Sequence, residues 1–282
     1  MRFRRSELLL NVFFLYSAGA VFLFPGPFER RILVVTLNAA LIAWSFLLAY
    51  AHRGRGFLFL DVVRDWWPAP LLLVAFEETA WLCVVNHPGK AELALGRWDH
   101  WALVGSGLKA LLDAGTPVIP AGLELAYLLV LFSPLWMLLL MHARPGRERL
   151  DDAWTILLIA TLSALVIRPW LSMEPPRSVF AGELLPPDTL FRHWNIFVLA
   201  HAEVRAGVFP STHITMGVSS SLAVLLLRPG RKLAGWLLLA VSGLAGVGAV
   251  YGRYHYTADV VAAILVSAVA AGVGWVLTRA NR

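Results

Sequence analysis

From residue 214 to residue 251 the chain is apolar almost throughout, and the one sustained interruption is the basic turn Arg228-Pro229-Gly230-Arg231-Lys232. Such runs can satisfy their backbone groups in hydrocarbon only by closing hydrogen bonds within themselves, which makes both of them helices. A short turn between two helices makes a hairpin, and a hairpin returns to the face it started from. The flanks that meet there are polar: Phe209-Pro210-Ser211-Thr212-His213 before the first run, and Gly252-Arg253-Tyr254-His255-Tyr256-Thr257-Ala258-Asp259 after the second. His213 and His255 are therefore expected at one surface.

Composition places this hairpin in a membrane. Over 282 residues, 59% are hydrophobic and 15% charged, with a mean hydropathy of +0.68, far too apolar for a soluble domain of this size. The formal charge of +6 does not point to nucleic acid, because Lys and Arg gather in short turns between apolar runs, as a topology signal does. One cysteine, Cys83, excludes an internal disulfide and reads as inert packing.

Eight runs read as spans: 8–24, 32–50, 68–85, 122–141, 154–171, 214–227, 233–251 and 257–277. The first follows Arg2, Arg4 and Arg5 but lacks a small-residue cleavage site, so it is read as retained. Residues 57–67, with Asp61, Arg64 and Asp65 three or four apart, read as a helix along the interface. Segment 86–120 reads as a loop with one or two surface helices, and 172–208 as a long polar loop. Trp66, Trp67, Trp98, Trp101, Trp170 and Trp194 fall near span ends, as an aromatic belt requires. The expected fold is thus an all-α integral membrane protein, a bundle of about eight transmembrane helices. Residues 1–151 form the N-terminal membrane helices with an extracytoplasmic loop, and 152–282 the catalytic part. Both ends of the chain and the turns holding Arg53, Arg55, Arg64, Arg144, Arg147, Arg149, Arg228, Arg231 and Lys232 carry more than half of the basic residues. That side is expected to be cytoplasmic and the histidine face extracytoplasmic.

The spacing at the second flank suggests a chemistry. His255 and Asp259 are four apart, so on a helix the carboxylate can accept a hydrogen bond from one ring nitrogen and leave the other as nucleophile or base. His213 across the hairpin can then serve as the acid. A bland alternative, in which both histidines merely cap spans, leaves Asp259 unexplained: a carboxylate one turn into an apolar helix costs about 2.5 to 3.5 kcal/mol and needs a partner.

Pro210-Ser211-Thr212-His213, followed by His255-Tyr256-Thr257-Ala258-Asp259-Val260, resembles the second and third motifs of the type-2 phosphatidic acid phosphatase superfamily. The His-Tyr form is closest to its lipid phosphotransferase branch, which includes the inositol phosphorylceramide and sphingomyelin synthases. The resemblance implies a metal-independent lipid phosphatase or phosphotransferase without a cofactor, whose substrate is a phosphorylated lipid of the bilayer. His255, oriented by Asp259, would attack phosphorus to form a phosphohistidine. His213 would protonate the leaving oxygen and then activate the water or alcohol that resolves the intermediate. Ser211 and Thr212, at the start of a helix whose first amides are free, would cradle the phosphate; Ser211 reads equally as an ordinary N-cap.

The superfamily's first motif is a lysine, six residues, then Arg-Pro. Arg168-Pro169 fits its end, but Thr161 stands at the lysine position. Pro175-Pro176-Arg177 resembles a Pro-Pro-Arg segment of the phosphotransferase branch, and Arg177 could replace the missing cation. In the third motif Ala249 stands where the soluble enzymes place arginine, leaving Arg253 as the nearby substitute. Arg168, Arg177 and Arg253 are therefore expected phosphate ligands, with snorkelling to the interface as the alternative. His193 and His201 read as solvated or substrate-lining rather than metal ligands. Glu77, Glu78 and Glu124 are intramembrane acids with either a function or an arginine partner on another span. A second class of reading is a transporter or flippase of anionic lipids, which requires a path open to both sides.

Overall fold

The structure, a computed structural model, describes residues 3–52, 58–84, 89–143, 146–201 and 206–279. Every regular element among them is helical. In chain order these are α1 (Arg5–Ala20), α2 (Phe28–Ala51), α3 (Leu58–Trp66), α4 (Pro68–Leu82), α5 (Lys90–His100), α6 (Leu108–Ala114) and α7 (Val118–Val130). They continue as α8 (Ser133–His142), α9 (Leu150–Ile167), α10 (Pro176–Val179), α11 (Leu190–His201), α12 (Thr212–Leu227), α13 (Lys232–Tyr251) and α14 (Thr257–Arg279). Arg2, Arg53, Arg55, Arg144 and Arg282, which enter the charge argument, lie outside the described residues, as does the side chain of His201.

Four described segments are long and apolar enough to cross a membrane: Phe28–Ala51, Arg147–Ile167, Pro229–Tyr251 and Thr257–Arg279. A fifth is obtained if α7 and α8 form one span. The run 122–141 is not one straight helix: it breaks between Val130 and Ser133, and the two parts are bent by 61°. Pro134 sits at the start of α8, where its missing N–H costs nothing but where an uninterrupted helix could not be continued unbent. Eight full-length spans are not found among the described residues, because α1, α4 and α12 have only 16, 15 and 16 residues.

The hairpin is the centre of the bundle. α12 packs on α8, α9, α13 and α14, while α13 lies along α7 and α14 along α9. Lipid tails are as apolar as leucine, so helices in a bilayer gain most by close approach of small residues. α12 buries Gly217, Ser219, Ser220 and Ser221, and Ser219 and Ser221 return their hydroxyl protons to the carbonyls of Thr215 and Gly217 one turn back. On α13 a Cβ at Gly248 would stand 2.6 Å from the Leu123 carbonyl oxygen, so this glycine is what brings α7 against α13. α9 is apolar all round and buried on most of its surface, with Trp154, Ile156, Leu157 and Leu158 in the main core.

α3, expected along the interface, is also tied into the bundle. Arg64 and Asp65 are buried: Arg64 makes a two-pronged ion pair with Glu7 of α1 at 2.6 and 2.7 Å, and Asp65 accepts from Arg4 and Arg147, each at 2.7 Å. These charges fasten helix ends together. The segment 172–208, expected as loop, contains α11, whose Arg192 and Asn195 point inward while Trp194, Ile196 and Phe197 stay exposed.

Candidate functional site

α14 begins at Thr257, and Asp259 occupies the third helical position, from which a carboxylate reaches back to the helix start. Its Oδ2 accepts the Tyr256 backbone N–H at 2.9 Å and lies 3.2 Å from His255 Nδ1. One carboxylate therefore caps the helix and holds the imidazole, leaving Nε2 on the far side of the ring. The loop carrying His255 is folded by the end of α13, whose Ala249 carbonyl accepts from both the Tyr254 and His255 amides. The second flank docks here directly: the Ser211 amide donates to the Asp259 carbonyl at 3.2 Å. That bond ties the start of α12 to the start of α14 and brings His213 beside His255.

Tyr127 of α7 lies near both histidines. Its hydroxyl is 3.5 Å from His213 Nδ1, and its ring centroid is 6.0 Å from His213 and 6.4 Å from His255. It stacks nearly parallel on Tyr254 at 4.7 Å. Phe76 of α4 closes the other side of His213 at 5.5 Å. Both histidines, Thr212, Arg168 and Arg177 line one small cavity of about 30 Å³, roofed by Leu199 and Val208. This is room for a water molecule or two, not for a phosphate group.

The cations differ in how they are held. α9 ends as Arg168 meets Pro169, and the buried Arg168 guanidinium donates from Nε to the Gly207 carbonyl and from Nη1 to the Phe76 carbonyl. Its Nη2 is buried without a partner, a costly state for a charged donor unless something is to be bound there. Arg177 is fixed through its backbone, whose N–H donates to the Arg253 carbonyl, and its guanidinium lies over the Tyr254 ring at 5.5 Å. Arg253 turns away from the histidines toward Asp99 of α5, at 3.4 Å; Asp99 also accepts the Thr257 amide at 2.9 Å. The Ser211 hydroxyl makes no cap bond and is buried without a partner. Burial pushes His255 down from its ordinary value to about 3, with the Arg177 charge adding to the shift and a hydrogen bond to the Val208 backbone opposing it.

Sequence reasoning quoted Tyr254 in the flank without giving it a role, and passed over Tyr127, Phe76, Asp99 and Arg192 altogether; Tyr254 joins the site to a buried network. Its hydroxyl donates to Glu124 at 2.7 Å, and the same carboxylate accepts from Arg192 at 3.1 Å and Asn195 at 2.7 Å. This buried network locks α7, α11 and the His255 loop together. Glu124 thus has an arginine partner, from α11. Glu78 instead meets Ser17 and Asn38. His193 pairs with Asp188 at the exposed surface. Among the described residues no group of three or more His, Cys, Asp or Glu side chains could hold a metal ion.

The bundle and its site define a helical membrane protein with two histidines and two cations gathered round one cavity at the ends of its central hairpin. The sequence profile described as PAP2 superfamily matches residues 94–273, and the chain belongs to that superfamily. The match runs from α5 to α14 and is to the superfamily as a whole. No curated protein and no solved structure matches the chain.

Proposed function

We propose that the chain is a membrane-embedded lipid phosphatase or phosphotransferase that works through a phosphohistidine at His255. The observation that carries this reading is the buried His255–Asp259 pair facing His213 across a cavity that also receives Arg168 and Arg177. His255 Nε2 attacks phosphorus as the bond to the leaving oxygen breaks, and His213 gives that oxygen a proton. His213 then takes a proton from water, or from an alcohol such as inositol, which displaces the histidine. Once the cavity widens to admit a phosphoryl group, the partnerless Nη2 of Arg168, the Arg177 guanidinium and the first amides of α12 neutralise its oxygens. Ser211 and Thr212 add hydroxyl donors beside them. Arg253 acts through Asp99, by holding the start of α14.

The proposed topology has eight spans: α1, α2, α4, the bent pair α7 and α8, α9, α12, α13 and α14, the short ones completed by loop residues. The ends of the chain and the Arg228–Lys232 turn are cytoplasmic, and the histidines face the outer side. The chemistry is assigned to residues 152–282, with Phe76 and Tyr127 from the preceding helices walling the site.

Incubating the purified protein with labelled phosphatidic acid, diacylglycerol pyrophosphate, undecaprenyl pyrophosphate, and phosphatidylinositol plus ceramide tests the proposal. Phosphate release identifies a phosphatase, and a new lipid identifies a phosphotransferase. Turnover of none of them, with no phosphohistidine trapped, would sink the reading and favour transport.

A further inference from the structure

A recess of about 1160 Å³ lies at the end of the bundle away from the histidines. Leu227 and the α12–α13 turn line it, so it is separated from His213 by the length of α12, about 24 Å for its 16 residues. Arg4, Arg5, Arg64, Arg149, Arg228 and Arg231 converge on it from separate parts of the chain. A basic end is enough to set topology when its charges sit on open turns. Here they surround a recess large enough for a ligand.

The acids near the recess are already engaged. Asp151 accepts the Arg5 and Ser6 amides and the Ser6 hydroxyl, capping α1. Asp152 is shared by Arg5 and Arg149, Glu7 takes Arg64, and Asp65 takes Arg4. Glu148 accepts the Gly146 amide, and its charge is also felt by Arg228 and Arg149, though not as an ion pair with Arg228. Among the described residues Arg228 and Arg231 have no carboxylate within ion-pair distance. Arg228 is held in place instead: its Nη1 donates to the Ala143 and Met141 carbonyls at 2.6 and 3.4 Å, at the end of α8. Gly146 leaves the room for it, since a Cβ there would stand 1.7 Å from the same nitrogen. Arg231 is exposed at the rim.

We propose that this recess binds a phosphate-bearing anion, with Arg228 as the ligand fixed by its own hydrogen bonds and Arg231 as the one at the exposed rim. A guanidinium fork matches two oxygens of a phosphate, and a recess with low-dielectric walls strengthens that match over an open surface. The anion comes either from the headgroup of an acidic phospholipid in the adjoining leaflet or from a soluble phosphate compound.

Thiol labelling at the turn separates these cases. Gly230 lines the recess, and a Cβ added there meets nothing within 4 Å. In the full chain carrying Cys83→Ser and Gly230→Cys, maleimide labelling is timed with dioctanoyl phosphatidylglycerol, with inorganic pyrophosphate, and with zwitterionic dioctanoyl phosphatidylcholine. The expected result is that an anionic probe slows labelling about tenfold, as ligation by two guanidinium groups allows, while phosphatidylcholine does not. Protection by phosphatidylglycerol alone assigns a lipid headgroup; protection by pyrophosphate as well assigns any phosphate anion. Adding Arg228→Gln and Arg231→Gln should restore unprotected labelling, at some cost in melting temperature because the Arg228 bonds to the Ala143 and Met141 carbonyls are lost; Arg231→Gln alone, at an exposed position, should weaken protection with an unchanged melting temperature and supplies the test if the pair does not fold. Absence of protection by both anions, or protection that survives undiminished in the glutamine variants, overturns the proposal.

Discussion

The Tyr127 hydroxyl lies 3.5 Å from Nδ1 of His213, on the same ring face arrangement that stacks Tyr127 against Tyr254, the neighbour of His255 in the chain. His255 has a carboxylate at 3.2 Å from its Nδ1, whereas the group nearest the corresponding nitrogen of His213 is a phenol, at the outer limit of a hydrogen bond. A neutral partner fixes the tautomer without raising the basicity of the ring as a charge would.

Tyr127→Phe keeps the stack and removes only that hydroxyl, so the fold should be retained. If His213 is the acid, its loss of orientation should slow turnover of a lipid ester on the order of tenfold, a fraction of what general acid catalysis supplies. A p-nitrophenyl substrate, whose leaving group needs no proton, should be nearly unaffected. The comparison is read on phosphohistidine formation in a single turnover, before His213 acts as the base; equal loss on both substrates there would deny Tyr127 its link to the acid step.

Asp259 has two tasks, and two substitutions separate them. Asparagine can still accept the Tyr256 N–H and cap α14, but it cannot carry the negative charge that supports His255. Asp259→Asn should therefore melt close to wild type while phosphohistidine formation falls on the order of a thousandfold, as when a histidine-orienting carboxylate is removed from a catalytic triad. Asp259→Ala should lose the same activity and, in addition, about 1 kcal/mol of stability with the cap. Calorimetry in detergent and rapid-quench trapping read the two effects separately.

How much of this was legible in the sequence follows from the range of each interaction. The hairpin was, because hydrophobic period and length are local: run 214–227 corresponds to Thr212–Leu227 and run 233–251 to Lys232–Tyr251. The break in run 122–141 had a local signal, Ser133-Pro134, masked by the apolar residues on both sides. The pairing of His255 with Asp259 is an i,i+4 relation and could be read directly. Glu124 with Arg192 could not, since no period relates residues 68 positions apart. Arg253 was expected at the phosphate because it is near His255 in sequence, but its backbone has φ 65°, which turns the side chain to Asp99.

Glu124 shows what the long-range network costs when broken. Its carboxylate and the Arg192 guanidinium are both buried. Glu124→Gln leaves Arg192 charged and uncompensated in a low-dielectric setting, which should destabilise the protein by about 3 to 5 kcal/mol. Replacing both residues together, Glu124→Gln with Arg192→Leu, should restore much of that loss, because the orphaned charge is gone while the glutamine oxygen still accepts from Tyr254 and Asn195. A double-mutant cycle on melting free energy checks this, and additive losses would show that the two side chains are not coupled.

Protonation of His255 gives the last prediction. The nucleophile must be neutral, and burial first, then the Arg177 charge, depress its pKa from the ordinary 6.5 to about 3. A lowered pKa means that the neutral ring persists as pH falls, so nucleophilic attack should not weaken through the range where a free imidazole titrates. A phosphodiester substrate, whose own charge is constant there, isolates this step. The rate of phosphohistidine formation in a single turnover should stay level from pH 7 to about 5, where a free imidazole would already be mostly charged. Arg177→Gln removes the larger of the two charges that add to burial, the other being Arg168, and should move any acid limb upward in pH, toward the ordinary imidazole value. A limb already centred near 6.5 in the unmodified protein would show that His255 attacks from an open, hydrated site, and would overturn the buried geometry as the reactive one.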